Sequence, residues 1–282
     1  MEIIRSIGEM HALSTVWRAD GKRIGFVPTM GAFHAGHLSL MKLARESCDV
    51  VVTSLFVNPT QFNEAADLAA YPRSEASDAA LAAAEGVDVL FAPSATEMYP
   101  EGFATTIAVG GIEDVLEGAM RGPQHFRGVA TVVTKLFNIV APHIAFFGQK
   151  DAQQVAVIKR MVADLSSPVV IEVGPTVREA DGLAMSSRNV RLAGDDRRRA
   201  LALRHGLDAA RDAIARGERD AARIEAVGRA AMERDGIAPE YFAVVNARSL
   251  APLERVAGEV LLAVAARVGP VRLIDNDLIQ VS

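Results

Sequence analysis

Two histidines, His34 and His37, stand three positions apart with Gly36 between them, shortly after a run of apolar residues. In an open α/β sheet, ligands bind at the carboxyl ends of strands, and the first turn of the following helix offers unpaired backbone N–H groups to an anion. Imidazoles placed there can donate hydrogen bonds to phosphate oxygens, and a glycine lets the backbone approach a ligand closely. The spacing therefore predicts a nucleotide triphosphate site, although the same two side chains could instead cap the helix.

A second polar segment, Phe56–Phe62, follows the next predicted strand. Asn58 and Gln61 provide neutral donors and acceptors, which can hold a hydroxy acid without neutralising its carboxylate. A turn built on Asn58 and Pro59 explains those two residues equally well, but it leaves Gln61 unexplained. Gln61 is therefore the acid-binding candidate of this segment.

A third segment, Phe147–Gln154, again joins a predicted strand to a predicted helix. Gly148 permits a tight turn, and Lys150 supplies a cation for a polyphosphate. Asp151 could either cap the helix or contact a nucleotide or a metal ion. A glycine followed closely by a lysine at the end of a strand favours phosphate binding.

The fourth segment is Met185–Asn189, which lies in a stretch rich in proline, glycine and serine. Ser186 and Ser187 followed by Arg188 can bracket a phosphate. A mobile loop between domains could bring these groups to ATP only after the nucleotide has bound, as a lid does. A serine-rich linker without a binding role is the alternative.

Short β-branched runs alternate with helical patterns from residue 22 to residue 173, which is typical of βαβ units. The predicted strands are Arg23–Pro28, Val50–Val57, Val87–Ala92, Ile144–Phe147 and Val169–Val173. The predicted helices are His37–Ser47, Ser74–Glu85, Val129–Val140 and Asp151–Leu165, and the spacing of Ser6 and Glu9 indicates a further N-terminal helix. The fold class is therefore predicted to be α/β, with a Rossmann-like parallel sheet and helices on both faces.

The character of the chain changes after Val173. The stretch Gly174–Asn189 is followed by long helices rich in arginine and alanine, and then by further predicted strands. Those strands are Tyr241–Val245, Val260–Ala266 and Val271–Ile274. We therefore expect two domains with a boundary near Thr176: residues 1–175, and a smaller α+β domain of residues 176–282.

Composition and charge exclude several classes of partner. The formal net charge is −5, and the densest basic run, Arg197–Arg199, directly follows two aspartates, so a nucleic-acid surface is not expected. The longest apolar run, Val260–Ala266, is too short to cross a bilayer, and Met1–Arg5 lacks the features of a secretory signal. The single cysteine, Cys48, permits no intrachain disulfide. We therefore expect a cytoplasmic protein without a nucleic-acid or membrane partner.

The four segments together resemble one family. Their sequences are PTMGAFHAGH, FVNPTQF, FGQKDAQQ and DGLAMSSRN, and they are accompanied by YPR at Tyr71–Arg73, HFRGV at His125–Val129 and RLIDN at Arg272–Asn276. In order and spacing this set is similar to the pantothenate synthetase (pantoate–β-alanine ligase) family, of the HxGH nucleotidyltransferase superfamily. The resemblance spans almost the entire chain.

The resemblance implies an enzyme that joins (R)-pantoate to β-alanine with ATP and Mg²⁺ through a pantoyl adenylate, releasing AMP and pyrophosphate. It implies a homodimer, an N-terminal domain that binds ATP and pantoate, and a C-terminal lid domain. The implied ATP contacts are Met30, Gly31, His34, Gly36, His37, Gly148, Gln149, Lys150, Asp151, Val177, Met185, Ser186, Ser187 and Arg188. The implied pantoate and β-alanine contacts are Gln61, Gln154, Asn58 and Met30. The implied catalytic residues are His37, as a proton donor, together with His34, Lys150 and Arg188.

Two other functions stay open at the level of sequence. The first is a nucleotidylyltransferase that moves a nucleotide onto a phosphate-bearing acceptor, because the His34–His37 motif serves that chemistry too. Such an acceptor calls for more cations than Asn58, Gln61 and Gln154 provide. The second is a nucleotide-binding regulator without catalysis, which the joint presence of Lys150 and both histidines disfavours. The loop before His125 reads RGPQHF where the family has RPGHF, and no role is assigned to that histidine.

Overall fold

The computed structural model describes residues 1–63 and 65–282, without the side chains of residues 65–67. Over these residues the chain forms two compact units. The first comprises Met1–Gly148 and Val157–Pro175, and the second comprises Gln149–Ala156 and Thr176–Ser282. The third sequence motif is thus divided, because Gly148 belongs to the first unit and Lys150 to the second.

A six-stranded parallel sheet forms the centre of the first unit. Its strands are β1 (Glu2–Ile4), β2 (Ile24–Thr29), β3 (Val50–Leu55), β4 (Val89–Phe91), β5 (Ile144–Gly148) and β6 (Val170–Gly174). They lie in the order β1-β4-β3-β2-β5-β6, and every neighbouring pair is parallel. The predicted Rossmann-like sheet is therefore confirmed, and β1 is an edge strand that the sequence pattern did not reveal.

The α-helices described by the structure follow the chain from α1 to α11. They are α1 (Ile7–Ala19), α2 (Ala35–Ser47), α3 (Ala65–Ala70), α4 (Glu75–Ala84), α5 (Ala95–Met98), α6 (Glu117–Arg121), α7 (Pro123–Val140), α8 (Ala152–Asp164), α9 (Gly194–Arg199), α10 (Ala202–Ala215) and α11 (Ala221–Arg234). Short 3₁₀ turns occupy Pro59–Gln61, Gln149–Asp151 and Asn189–Arg191. No helix in the described part of the chain combines the length and the apolar character that a membrane span needs.

Helices cover both faces of the parallel sheet, so its central strands read as almost continuous apolar runs. On one face, Met41 of α2 and Ala82 of α4 pack with Val27 and Phe146. On the other face α1 and α7 pack together, and Phe137 of α7 contacts Phe26 edge-on. Because both faces of the sheet are buried, polar side chains lie mainly in the loops at the carboxyl ends of the strands.

One predicted helix begins at the wrong residue. The apolar pattern placed its start at Val129, whereas α7 begins at Pro123. Proline fits the first helical position because its missing N–H would have no partner there, and Gly122 before it adopts a φ of 80° that favours glycine. The extra turns bring His125 and Gly128 into a helix that packs on the Pro59–Gln61 turn.

The second unit contains a three-stranded antiparallel sheet of β7 (Tyr241–Asn246), β8 (Gly258–Val268) and β9 (Val271–Val281). The helices α10 and α11 pack against each other and cover one side of this sheet. Gly228 of α11 allows the close packing, because a Cβ atom there would lie 2.3 Å from the Phe242 ring. The predicted α+β character of the C-terminal region is confirmed.

Candidate active site

The loop between β2 and α2 has an unusual backbone. Gly31 and Ala32 both have positive φ angles, of 89° and 53°. Left-handed backbone is inexpensive for glycine but strained for alanine. The Thr29 hydroxyl donates to the Ser54 carbonyl at 2.6 Å and accepts from the Gly31 N–H at 3.2 Å, so the loop is tied to the neighbouring strand β3.

A buried carboxylate holds the same loop from the other side. Asp78 of α4 is 2% exposed, and its two oxygens accept hydrogen bonds from the N–H groups of Ala32 (2.9 Å) and Phe33 (2.8 Å). The Ser74 hydroxyl donates to the same carboxylate at 3.2 Å. Because a buried charge is tolerated only when it is well hydrogen-bonded, these contacts explain the acid in an alanine-rich helix. No motif in the sequence pointed to Asp78.

The two histidines cap the helix that follows. His34 is the N-cap residue of α2, and its Nδ1 accepts from the Gly36 N–H at 3.2 Å, while Nδ1 of His37 accepts from the His34 N–H at 3.4 Å. A Cβ atom on Gly36 would lie 2.9 Å from Cε1 of His34, so glycine is needed for the ring to sit there. An imidazole whose Nδ1 accepts carries its proton on Nε2. The capping alternative is thus realised, and it fixes the tautomer that can donate an Nε2–H to a phosphate.

Asn58 organises the turn that carries Gln61. It is 1% exposed, and its amide nitrogen donates to Oε1 of Gln61 and to the Gly128 carbonyl, both at 3.1 Å. Its oxygen accepts from the Thr60 hydroxyl at 2.9 Å and from the Tyr99 hydroxyl at 2.8 Å. Burial raises the pKa of Tyr99, so that hydroxyl keeps its proton and remains a donor. Both N–H groups of Asn58 are therefore used inside the protein.

Gln61 and Met30 lie side by side. Nε2 of Gln61 is 2.9 Å from Sδ of Met30. Nδ1 of His125 lies 2.8 Å from the Gln61 carbonyl oxygen, so this histidine braces the turn. Gly128 is required beside it, because a Cβ atom there would lie 2.5 Å from the Thr60 carbonyl oxygen.

A pocket of about 660 Å³ opens in the first unit at the carboxyl ends of β2, β3 and β4. Its lining includes Met30, Gly31, Leu55, Phe56, Val57, Asp78, Ala92, Pro93, Ser94 and Ala95. Arg5 and Glu75 at its rim form an ion pair with a shortest separation of 2.5 Å. The pocket occupies the sheet edge at which open α/β folds bind ligands.

Apart from Gly148, which ends β5 in the first unit, the remaining candidate residues lie in two short segments of the second unit. Lys150 lies in the Gln149–Asp151 turn, and its ammonium is 3.8 Å from Oδ1 of Asp151. Gln154 follows in the first turn of α8. Among residues 1–63 and 65–282, no group of three or more histidine, cysteine, aspartate or glutamate side chains is arranged to hold a metal ion.

The other segment runs from Val177 to Arg188. The Met185 N–H donates to the Val177 carbonyl at 2.9 Å, so two of the expected ATP contacts are neighbours. Oγ of Ser186 accepts from the Arg188 N–H at 3.3 Å, which bends the chain between them. Arg197 is 2.8 Å from Asp181, and this hydrogen-bonded ion pair lowers the pKa of Asp181.

A parallel sheet with helices on both faces, whose strands end beside polar side chains and a helix N-terminus, is typical of nucleotide-binding α/β proteins. The sequence profile of the Pantoate-beta-alanine ligase family matches residues 2–278 of the chain. The chain therefore belongs to the pantoate–β-alanine ligase family. It is accordingly an enzyme, an acid–amino-acid ligase that forms a C–N bond, as the resemblance predicted.

Individual relatives agree with this assignment over all or nearly all of their lengths. The chain is 53% identical to the pantothenate synthetase of Heliobacterium modesticaldum, with complete coverage of both sequences. The crystal structure of pantothenate synthetase from Thermus thermophilus is similar with a TM-score of 0.91 and 43% identity, covering 98% of this chain and 99% of that one. The pantoate-beta-alanine ligase of Francisella tularensis, crystallised in complex with beta-gamma ATP and beta-alanine, is similar with a TM-score of 0.79 and 36% identity, covering 99% and 97%.

Proposed function

We propose that the chain catalyses the ATP-dependent ligation of (R)-pantoate and β-alanine to pantothenate through a pantoyl adenylate, with release of AMP and pyrophosphate. The main support is that two suitable elements lie at the carboxyl ends of the neighbouring strands β2 and β3. One is the helix start capped by His34 and His37, and the other is Gln61 held against Met30. The first suits a polyphosphate, and the second suits a neutral grip on a hydroxy acid.

In the first step a pantoate carboxylate oxygen would bond to the α-phosphorus of ATP, the bond to the β-phosphate oxygen would break, and pyrophosphate would leave. The Nε2–H groups of His34 and His37, together with Lys150 and Arg188, would offset the charge that develops on the phosphates. His37 is proposed as the proton donor. Such catalysis consists mainly of positioning and electrostatic stabilisation.

In the second step the β-alanine amine would attack the acyl carbon, the bond to AMP would break, and the amine would lose a proton. We propose that Gln61 and Gln154 hold pantoate, with Gln61 also near β-alanine. For Asn58 we propose a positioning role. Both N–H groups of its amide already donate within the protein, one of them to Gln61, so Asn58 orients that side chain and has no N–H group left for a substrate. No covalent enzyme intermediate is required.

The remaining ATP contacts are proposed from the resemblance and from local geometry. The proposed residues are Met30, Gly31, Gly36, Gly148, Gln149, Asp151, Val177, Met185, Ser186 and Ser187. Residues 1–175 would form the domain that binds ATP and pantoate, and residues 176–282 would form the lid. A homodimer and a cytoplasmic location are proposed from the resemblance alone.

Mg²⁺ is proposed to enter with ATP. In proteins this ion usually takes one or two carboxylates together with substrate phosphates, rather than a cage built only from the protein. The donor set fits that mode, because the Asp151 carboxylate is half-exposed and could therefore contact an ion that arrives bound to substrate phosphates. The bound ion would supply positive charge at the phosphates.

The order of the chemistry provides the decisive experiment. Enzyme given ATP, Mg²⁺ and pantoate without β-alanine should release about one equivalent of pyrophosphate per site and then stall, because bound adenylate is shielded from water. Adding β-alanine should then yield pantothenate and AMP. Oxygen-18 in the pantoate carboxylate should appear in AMP, because one carboxylate oxygen becomes the anhydride bridge.

Each alternative gives a different result. A nucleotidylyltransferase would form a stable nucleotide-bearing product that β-alanine does not discharge, and a regulator without catalysis would release no pyrophosphate. A pyrophosphate burst that requires β-alanine, or AMP without label, would overturn the two-step mechanism even if pantothenate were the product.

A further inference from the structure

Two consecutive polar residues near the C-terminus are buried in the core of the second unit. Asp275 and Asn276 lie in the middle of β9 and are each 4% exposed. They belong to the RLIDN motif, to which the resemblance assigns no role. Burying polar side chains in a strand costs free energy unless their hydrogen bonds are satisfied. Their partners should therefore reveal what the motif does.

The side chain of Asn276 is hydrogen-bonded to the turn that carries Lys150. Its amide nitrogen donates to the carbonyls of Gln149 at 3.0 Å and Lys150 at 2.8 Å, and its oxygen accepts from Nε2 of Gln149 at 3.0 Å. One side chain thus makes three hydrogen bonds to two adjacent residues of the turn. This arrangement fixes the backbone from which the Lys150 side chain extends.

Asp275 holds the other ATP-binding segment of this unit. Its two oxygens accept from Arg178 at 2.7 and 3.0 Å, in a two-pronged ion pair, and one of them also accepts from the Asn276 N–H at 2.8 Å. Arg178 pairs with Ala184 across a β-bridge and donates to the Gly182 carbonyl at 3.0 Å. Asp275 therefore anchors the hairpin that leads into Ser186 and Arg188.

We propose that Asp275 and Asn276 are positioning residues for catalysis: they place the Lys150 turn and the hairpin before Arg188 relative to each other within the second unit. Successive side chains of a strand point to opposite faces, so two neighbouring residues can hold two different segments. A shared strand makes the spacing of the two segments rigid. The proposal rests on the proposed function, since it assigns phosphate contacts to Lys150 and Arg188.

A matched pair of asparagine variants tests the Lys150 half. Asn276→Ala removes the three hydrogen bonds to the turn. Asn246→Ala is the control, because Asn246 lies in the same sheet but contacts neither segment through its side-chain oxygen. That oxygen accepts from the backbone N–H groups of Arg248 and Ser249 and from the Ser249 hydroxyl. For pyrophosphate release we expect kcat of Asn276→Ala to fall roughly 10- to 100-fold, since small misplacements of catalytic groups have effects of that size. The KM for pantoate should change little, and the control should keep near-normal kcat.

Asp275 is tested in the same way. Asp275→Asn keeps the shape of the side chain but removes the charge that pairs with Arg178. Glu240→Gln is its control, because Glu240 forms an ion pair of 2.6 Å with Arg272, which lies on the same strand as Asp275. Asp275→Asn should lower kcat, and Glu240→Gln should not. Urea unfolding of all four variants establishes that each is folded under the assay conditions.

Hydrogen exchange provides a readout that does not depend on activity. In Asn276→Ala the amides of Gln149–Ala156 should exchange faster than in the native protein, and in Asn246→Ala they should not. Equal kcat for Asn276→Ala and Asn246→Ala, or unchanged exchange in this segment, would overturn the positioning role. A native protein that makes no pantothenate would refute the proposed function, while the exchange data would still decide whether Asn276 holds the turn.

Discussion

The carboxylate of Asp78 should control the conformation of the loop that presents His34. It accepts hydrogen bonds from the N–H groups of Ala32 and Phe33, and it is almost fully buried. Hydrogen bonds to a charged group contribute about 1.5–3 kcal/mol each, so the pair is worth about 3–6 kcal/mol. A left-handed alanine costs roughly 1–2 kcal/mol, and this is the strain at Ala32 that the carboxylate offsets.

We expect Asp78→Ala to lower the free energy of unfolding by about 3 kcal/mol, the lower end of that range, because water can reach part of the loop and replace some of the lost bonding. Asp78→Asn keeps one acceptor and should lose about half as much. Because His34 directly follows Phe33, kcat for pyrophosphate release should also fall, by roughly 10-fold or more in Asp78→Ala.

The measurements are urea unfolding followed by circular dichroism, and steady-state pyrophosphate release. Glu75→Ala is the matched control, since Glu75 lies on the same helix but pairs with Arg5 at the surface, where an ion pair contributes about 0–1 kcal/mol. The reasoning fails if the free energies of unfolding of Asp78→Ala and Glu75→Ala agree within about 0.5 kcal/mol and Asp78→Ala keeps the native kcat. The loop would then not depend on the carboxylate.

Two further predictions concern the proposed substrate contacts. His37→Gln should keep the capping hydrogen bond, because glutamine is favoured at that helix position, yet it should lose about 100-fold in kcat, as should Lys150→Met. Near-native turnover of either variant at saturating substrate would remove its assigned role. Gln61→Ala and Gln154→Ala should each weaken pantoate binding by about 1–3 kcal/mol while leaving ATP binding unchanged. Calorimetric titration with each ligand measures this, and equal losses for both ligands would indicate a packing role instead.

Much of the first unit could be predicted from local patterns. The parallel strands are buried on both faces, so each leaves an apolar run in the sequence, and the helix between two strands leaves a period of 3.6 residues. The start of α7 was missed because Pro123 and Gly122 mark it by backbone preference rather than by hydrophobicity. The edge strand β1, only three residues long, carries too short a pattern to be detected.

The sequence by itself determined which chemical groups stand at the strand ends, because a motif such as His34–His37 lies within one strand-to-helix turn and its hydrogen bonds are local. Only the tertiary structure decided which side chains hold those groups in place. Asp78 reaches Ala32 across 46 residues of sequence, and Asn276 reaches Lys150 across 126. A buried polar residue leaves no periodic signal, and its partner is chosen by how the strands and helices pack, so these contacts could not be predicted from the residues around them.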